Sequence, residues 1–465
     1  SPEDSVFLKK YVRRRPNSKM AWYLLGREYE ARGERGKAVY CYAQAGEVYE
    51  AFESEPISRL LAQWKVEPVP GWPKRDARRW KLRLAALAAV LMLFIAIVPA
   101  ERPEHHAADG AGKTAGRSAT QGGIAPTLPD AAAESAEKVY YLAQLYDRGG
   151  IGAALEDIAL SGSRRGAYSV VVQPVFSEDG RWRYWPLKPK PLLEAERAGA
   201  ADRLNVRYLD AESCSCEPGD AGRAEHLLPA WQEAQEATAV LRSAIYAYAL
   251  KYGALPDGID RLVRPYPDNV LPGYTPLMAE YFSAMRESVA QELGDKAAIA
   301  GRARDDGPSG AADLLDPLRA PLEIWVDKET HRLALVSGTV ILRSYPVGLG
   351  GDKTPEGEFT ITEKVRNPNG RSDGEFGSRG MTLSDTLYAI HGTNQPSSIG
   401  EDRSLGCVRM LKEHIEELFD MVPIGTKVII GKGFVPDAIA TKERPFQVPL
   451  MTVEENPDKI YRWLN

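Results

Sequence analysis

The sequence predicts a multidomain protein: an all-α repeat-like N-terminal part, one transmembrane helix, an α+β middle region and a mainly-β C-terminal domain. Three observations lead to this prediction. Aromatic and small residues recur at helical spacing before residue 52, an uncharged apolar run covers 84–100, and short β-rich runs begin near 322. A length of 465 residues is comfortable for two or three domains. The net charge of −5 argues against a nucleic-acid-binding protein.

The first segment, 1–70, carries a pattern of two helices separated by a turn near 33–36. The residues at helical spacing are Trp22, Leu25, Gly26, Tyr29, Ala38, Tyr42 and Ala45. Their order resembles the tetratricopeptide repeat, and a plain helical hairpin is the alternative. Because one repeat cannot bury its apolar face alone, we expect this domain to bind a peptide or another protein.

The segment 82–100 is predicted to cross a membrane once. Its uncharged run, 84–100, is just long enough to span a bilayer and is apolar on every helical face. A buried core helix is the alternative. Six basic side chains lie in 74–83, on the N-terminal side only. The positive-inside rule then places residues 1–80 in the cytoplasm and everything after the span outside. Residues 101–134, rich in Ala and Gly, are expected to be a flexible linker.

The middle region, 135–318, is predicted to be an α+β domain, and the sequence does not reveal its role. Residues 137–149 have a helical pattern, and 167–187 have the pattern of a β-hairpin. A long amphipathic helix runs from Trp231 to a break at Gly253.

The four cysteines are scattered, which does not indicate a disulfide framework. Cys214 and Cys216 form a C-x-C pair, a weak signal for a metal or a disulfide. The sequence leaves open whether they are unpaired, bonded to each other or bonded to a partner. No zinc pattern appears, and neither a metal nor a cofactor is expected.

Residues 320–433 are predicted to form a mainly-β domain. The β-rich runs are 322–326, 331–337, 339–345, 358–363, 387–391 and 426–431. The stretch 411–422 is the clearly helical part. The C-terminal extension, 434–465, contains Pro, Phe and Trp and is expected to pack back on the domain.

His391 and Cys407 stand in one glycine-studded segment, YAIHGTNQPSSIGEDRSLGCVRM, at 388–410. A thiol with its ordinary pKa of about 8.5 is a weak nucleophile at neutral pH until a base activates it. A histidine at a strand end can be that base. Gly406 lets the backbone approach a bound carbonyl, and the N–H groups of Gly406 and Cys407 could form an oxyanion hole. Alternation would place Arg409 on the face of Cys407. By spacing alone, a buried structural cysteine and histidine are the alternative.

This segment resembles the catalytic core of the L,D-transpeptidase (YkuD-type) family. The family signature is His-Gly-Thr, a variable loop and Ser-x-Gly-Cys-(Ile/Val)-Arg-Met, and it matches 391–393 and 404–410. The family's Thr-Pro-x-Gly-x-Phe turn matches 354–359. The resemblance covers about 322–432. Leu405 stands where many members have histidine.

The resemblance assigns chemical roles. It implies that Cys407 is the nucleophile and His391 its general base, with the Gly392 carbonyl or Ser404 orienting the imidazole and Gly406 beside the oxyanion. The substrate-binding candidates are Arg409, Tyr388, Asn394 and Thr393.

The reaction that the resemblance implies is peptidoglycan cross-linking. The thiolate attacks the carbonyl between a diamino acid and the terminal D-alanine of a stem peptide, D-alanine leaves, and a thioester remains. An amine of a neighbouring stem then resolves the thioester, and carbapenems are expected to acylate the thiol. Since peptidoglycan lies outside the membrane, the predicted topology agrees: a single-pass cell-membrane protein whose catalytic domain faces the cell wall.

Two alternatives remain from the sequence. One is a membrane-anchored scaffold that binds stem peptides with an idle catalytic domain. The other is an L,D-carboxypeptidase, in which water takes the place of the acceptor amine.

Overall fold

A computed structural model describes most of the two ends of the chain and much of its middle. The described residues are 8–12, 18–53, 56–63, 137–145, 147–160, 167–197, 204–212, 214, 216–299 and 311–465. They fall in two compact units, and the first unit comprises 8–12, 18–46 and 56–63. All other described residues belong to the second unit.

The first unit contains two helices joined by a tight turn and a further short helix. The helices of this part of the chain are α1 (Lys19–Ala31), α2 (Arg35–Ala45), α3 (Glu47–Glu53, which groups with the second unit) and α4 (Ile57–Gln63). Gly26 of α1 packs on the ring of Tyr42, and a Cβ there would lie 2.5 Å from Cε1 of that ring. Any side chain at position 26 would therefore displace this ring. The predicted pair of helices is confirmed, and its assignment to the tetratricopeptide repeat stays a prediction.

The predicted transmembrane helix has no counterpart in the part of the chain that the structure describes. There, no helix is both long and apolar enough to cross a membrane, so the fold class with one transmembrane helix is wrong for these residues. The longest described helix, Gly222–Tyr252, carries Glu236 and Arg242 in its middle, and charges at such positions disfavour a membrane span. The segment 82–100 and the linker 101–134 lie outside the described residues.

The second unit contains two sheets and several helices. Its remaining helices are α5 (Arg148–Leu160), α6 (Gly222–Tyr252), α7 (Pro276–Ile299), α8 (Ala311–Leu315) and α9 (Lys412–Met421). Its strands are β1 (Glu137–Tyr141), β2 (Ala167–Gln173), β3 (Val175–Phe176), β4 (Arg183–Tyr184), β5 (Lys190–Arg197), β6 (Leu204–Tyr208), β7 (Leu322–Asp327), β8 (Arg332–Ser337), β9 (Val340–Pro346), β10 (Gly357–Arg366), β11 (Arg379–Leu383), β12 (Ala389–Gly392), β13 (Val408–Met410) and β14 (Lys427–Gly431).

The smaller sheet has the order β1-β2-β5-β6, with β1 parallel to β2 and the other pairs antiparallel. Here the predicted helix over 137–149 is wrong, because 137–141 is strand β1 and the helix begins at Arg148. Val139, Tyr140 and Tyr141 are residue types that suit a strand. They pair with the Val170–Val172 run of β2, and this tertiary pairing decides between two patterns that the sequence alone leaves close.

The larger sheet has ten strands in the order β13-β12-β11-β10-β14-β7-β8-β9-β4-β3. The predicted β-rich runs after 320 are confirmed as β7 to β10, β12 and β14. The predicted hairpin of the middle region is confirmed in part, since β3 and β4 pair around a turn at 177–180. Strand β4 also pairs in parallel with β9, so the hairpin extends the C-terminal sheet.

Helix α6 joins the middle region to the same core as the C-terminal strands. The predicted long helix is confirmed, and it ends at Gly253, whose φ of 69° is left-handed. Its buried Glu236 accepts hydrogen bonds of 3.1 Å from Arg343 of β9, and Arg343 also donates to Glu417 of α9 at 2.8 Å. The helix therefore supplies part of the charge compensation for buried Arg343 of the larger sheet.

The C-terminal extension packs back on the sheet, as predicted. The N–H groups of Phe434 and Val435 donate to the carboxylate of Asp327 at 2.7 and 2.9 Å. The last residues return to the strands that carry the signature motif, where Tyr461 and Trp463 are buried beside Cys407.

Candidate active site

Strands β12 and β13 bring the signature residues onto one face of the sheet. The two strands are parallel, and His391 is paired directly with Arg409. Paired residues of neighbouring strands point to the same side, and residues two apart on one extended segment do so too. Cys407, immediately before β13, therefore shares the face of Arg409 and His391. Alternation predicts the common face of Cys407 and Arg409, and the pairing of the two strands adds His391.

The turn into Cys407 requires glycine at position 406. Gly406 has a φ of +136°, which side-chain-bearing residues rarely adopt. A Cβ there would lie 2.4 Å from Cε1 of Tyr388 and 2.8 Å from the carbonyl oxygen of Lys353. The backbone before the thiol is thus held between a strand end and a crossing loop.

His391 is held by its own neighbour in the chain. Its Nδ1 lies 2.5 Å from the carbonyl oxygen of Gly392, so Nδ1 carries the proton and Nε2 is left as a base. Within the described residues, Nε2 has no hydrogen-bond partner. Burial lowers the pKa of His391 to about 4, so the imidazole is neutral at pH 7. This confirms the predicted contact with the Gly392 carbonyl.

The Cys407 thiol is enclosed. The side chain has no exposed surface, and the N–H of Ala389 points at its Sγ at 3.3 Å. Burial raises the pKa of Cys407 to about 12. In this enclosed state the group is a protonated thiol at neutral pH.

Ser404 does not orient the imidazole, and this candidate role is corrected. Its Oγ donates to the carbonyl oxygen of Cys407 at 2.7 Å and accepts from the N–H of Gly406 at 3.1 Å. The single hydroxyl proton is therefore used within the loop. The Gly406 N–H is occupied by its bond to the Ser404 Oγ, so of the two predicted oxyanion donors only the Cys407 N–H is directed away from this loop. It donates to the carbonyl oxygen of Leu464 at 3.0 Å.

The substrate-binding candidates lie around this cleft in different environments. Nε of Arg409 donates to Oδ1 of Asn465 at 2.7 Å, and its Nη1 has no hydrogen-bond partner within the described residues. Tyr388 is half-buried against Gly406. Thr393 accepts from a neighbouring N–H in its own turn, and Asn394 is exposed.

The sequence did not predict which side chains cover His391 and Cys407. The indole of Trp463 stacks on His391, with ring centroids 5.9 Å apart and planes inclined by 12°. Phe376 meets His391 edge-on, at 5.2 Å and 84°. The signal in the sequence was the apolar cluster of Tyr461, Trp463 and Leu464 in an extension that was expected to pack back, without a stated target.

Solved structures of L,D-transpeptidases resemble this chain weakly. The L,D-transpeptidase from Mycobacterium smegmatis is 20% identical with a TM-score of 0.20, over 24% of this chain and 59% of that one. The catalytic domain of the E. faecium L,D-transpeptidase is 24% identical with a TM-score of 0.21, over 23% of this chain and 95% of that one.

Comparison of sequences is decisive. The family model described as the L,D-transpeptidase catalytic domain matches residues 321–430. The putative L,D-transpeptidase YkuD of Bacillus subtilis is 40% identical over 121 residues, which is 26% of this chain and 71% of that protein. The probable L,D-transpeptidase ErfK/SrfK of Salmonella typhimurium is 33% identical over 20% of this chain and 38% of that protein. The chain belongs to the YkuD family of L,D-transpeptidases, and residues 321–430 are its catalytic domain.

Proposed function

We propose that Cys407 and His391 are the nucleophile and general base of an L,D-transpeptidase that cross-links peptidoglycan stem peptides. One observation carries this assignment. His391, with Nδ1 tied to the Gly392 carbonyl and Nε2 free to accept a proton, shares one sheet face with Cys407 and Arg409. A neutral imidazole with a fixed tautomer is what a thiol nucleophile requires.

The acylation step is a nucleophilic substitution at a stem-peptide carbonyl. The sulfur of Cys407 bonds to the carbonyl carbon as Nε2 of His391 takes the thiol proton. The developing oxyanion is stabilised by the Cys407 N–H, which already donates to a carbonyl oxygen. The C–N bond then breaks, the leaving D-alanine nitrogen takes the proton from the imidazole, and a thioester remains.

Deacylation reverses the roles. An amine of a second stem peptide attacks the thioester carbonyl and gives its proton to the neutral imidazole. The C–S bond breaks, the sulfur regains a proton, and an amide cross-link is released. With water in place of the amine, the product is a shortened stem peptide.

Arg409 is proposed to hold an acidic group of the substrate. It shares the sheet face of the thiol, and within the described residues its Nη1 has no hydrogen-bond partner. A guanidinium with unused N–H groups suits a carboxylate, which stem peptides carry at their ends.

Product analysis tests this function. The purified 465-residue chain is incubated with a tetrapeptide stem, with and without a second stem that offers only its amine. A cross-linked dimer, lost in Cys407→Ala, is expected with the acceptor. Release of D-alanine without any dimer would indicate a carboxypeptidase, and no product under either condition would favour an idle, stem-binding scaffold.

We further propose that the catalytic domain works outside the cytoplasmic membrane, where its substrate lies. The bond between Cys214 and Cys216, on the same compact unit, supports this, because disulfides persist in oxidising compartments. The location is tested by labelling the catalytic domain on intact cells with a reagent that does not cross the membrane. Labelling only after cell lysis would contradict it.

For the N-terminal unit we propose a peptide- or protein-binding role. The support is the repeat-like packing of Gly26 against Tyr42 and the exposed Leu24 on the same helix. A photo-cross-linking side chain placed at residue 24 should capture a partner in cells, and the same group at exposed Arg27 provides a control for non-specific capture.

A further inference from the structure

The catalytic cleft is filled by the chain's own residues 459–465, here called the strap. We propose that the strap is autoinhibitory: it occupies the position of the stem peptide and must leave before Cys407 can react. This inference rests on the proposed function of the cleft.

The strap's backbone makes the contacts expected of a bound peptide. The N–H of Leu464 donates to the carbonyl oxygen of Leu387 at 2.9 Å, and the N–H of Cys407 donates to the carbonyl oxygen of Leu464 at 3.0 Å. Leu387 and Cys407 precede the paired segments of β12 and β13, so Leu464 bridges the two strands in the manner of an added peptide. A stem-peptide carbonyl activated by the Cys407 N–H would need the same position.

Side chains of the strap cover the catalytic groups. Trp463 stacks on the imidazole of His391 and meets Phe376 edge-on at 5.0 Å. With the strap in place, Cys407 and His391 have no exposed surface. A substrate carbonyl therefore has no path to the sulfur.

The strap also binds Arg409, the residue proposed to hold an acidic group of the substrate. The side-chain oxygen of Asn465 accepts from Nε of Arg409 at 2.7 Å. A neutral amide oxygen is a weaker acceptor for a guanidinium than a carboxylate is. An acidic substrate group is thus expected to compete well for this position.

Anchors outside the cleft hold the strap down. The N–H of Tyr461 donates to Oδ1 of Asn369 at 2.6 Å, and Nδ2 of Asn369 donates back to the Tyr461 carbonyl at 3.1 Å. The Tyr461 hydroxyl and the Lys459 ammonium each donate to Glu363 at 2.6 Å. These contacts position the strap without touching the thiol or the imidazole.

The strap has the character of a detachable segment. Residues 459–465 form no helix or strand, and Ile460 within them is 72% exposed. Short irregular segments open at a lower free energy than the sheets beneath them. Opening the strap therefore does not require unfolding of β12 or β13.

The test measures access to Cys407 in the 465-residue chain. Tyr461→Ala/Trp463→Ala loosens the strap, and Ile460→Ala is the matched control within the same segment. Asn369→Gly is a second loosened variant, which deletes both bonds to Tyr461 at a residue with a φ of +57°, where glycine is well tolerated. Circular dichroism and thermal unfolding show which variants remain folded, and Asn369→Gly decides the question if the double variant does not.

Two reagents test the proposal about the strap and the proposed function separately. Iodoacetamide, with the modified cysteine identified by peptide mass, reports access to the Cys407 thiol. A carbapenem, followed by intact mass, reports acyl transfer. The loosened variants should react about tenfold faster or more with both reagents, the change produced by ~1.4 kcal/mol of lost docking free energy. Ile460→Ala should react as the unmodified chain does.

Other outcomes overturn one proposal at a time. If folded loosened variants are alkylated no faster than the unmodified chain, the strap does not control access and the inference is wrong. Equal rates of carbapenem acylation in all variants would likewise contradict autoinhibition by the strap, and the proposed function would stand. Faster alkylation of the loosened variants with no carbapenem adduct would support the control of access by the strap and contradict the proposed function.

Discussion

The indole of Trp463 lies nearly parallel to the imidazole of His391, 5.9 Å from centroid to centroid. A proposed catalytic base thus forms part of a buried aromatic cluster with Phe376. Burial keeps the imidazole neutral and the Cys407 thiol protonated. We therefore expect the Cys407 thiol and the His391 imidazole to react only after the Trp463 indole has moved away from them.

Gly406→Ala should inactivate the enzyme and lower its stability. The substitution brings a Cβ within 2.4 Å of the Tyr388 ring at a φ of +136°. We expect a loss of about 1–3 kcal/mol in the free energy of unfolding, measured by urea titration. Gly400→Ala is the matched control, since Gly400 has a φ of +85° but no atom within 4 Å of its Cβ position. Equal losses of stability in both variants would show that the loss comes from backbone strain alone and not from the contact with the Tyr388 ring.

Ser404→Ala should weaken the loop without removing the base. It deletes the hydroxyl that bridges the Cys407 carbonyl and the Gly406 N–H. The free energy of unfolding should fall by about 1–3 kcal/mol, because two buried polar groups lose their partner. The pH dependence of acylation should be unchanged, since the hydroxyl does not contact His391. A shifted pH profile would restore the role that the sequence suggested for Ser404.

Glu236→Ala should destabilise the catalytic domain, although the residue lies in the middle region. Glu236 is buried and accepts from Arg343 of β9. Removing one partner leaves a buried charge short of compensation, at a cost of about 3–5 kcal/mol. The exposed Glu233 of the same helix supplies the control, Glu233→Ala, which should change little. Urea unfolding followed at the C-terminal tryptophans measures the stability of both variants. Identical midpoints for Glu236→Ala and Glu233→Ala would contradict a core shared by α6 and the C-terminal strands.

Protonation of His391 should contribute to acid unfolding. Its pKa is about 4 in the folded chain, mainly through burial, against an ordinary value of 6.5. Between these values the unfolded chain binds more protons, so the free energy of unfolding falls as pH falls from 6.5 to 4. One such group accounts for up to about 1.4 kcal/mol per pH unit. The slope should be smaller in His391→Gln, and urea titrations across this pH range that give equal slopes would contradict the buried, neutral imidazole.

The shared face of Cys407 and Arg409 was predictable from the sequence, whereas His391 joins it through the pairing of β12 with β13. Alternation along short strands is a local rule, and the glycine before the thiol marks a close backbone approach. Residues 137–141 misled because a short run such as Val139-Tyr140-Tyr141 suits a helix or a strand until its partner is known. That partner, β2, lies about thirty residues further along the chain.

The covering of the site was not predictable in the same way. The strap reaches Cys407 across more than fifty positions of sequence, through backbone bonds that any residue could make. Likewise, nothing in the spacing of Ser404 shows that its one proton goes to the Cys407 carbonyl rather than to the imidazole. Both features depend on the packed structure, and both change the chemistry expected of the thiol.

The most direct test is the intact mass of the 465-residue chain after incubation with a stem tetrapeptide. The unmodified chain, the loosened variant Tyr461→Ala/Trp463→Ala and Cys407→Ala are compared. We predict a thioester adduct that maps to Cys407, is more abundant in the loosened variant and is absent from Cys407→Ala. An adduct that persists in Cys407→Ala, or none on the folded loosened variant, would contradict the assignment of Cys407 as the acylated nucleophile.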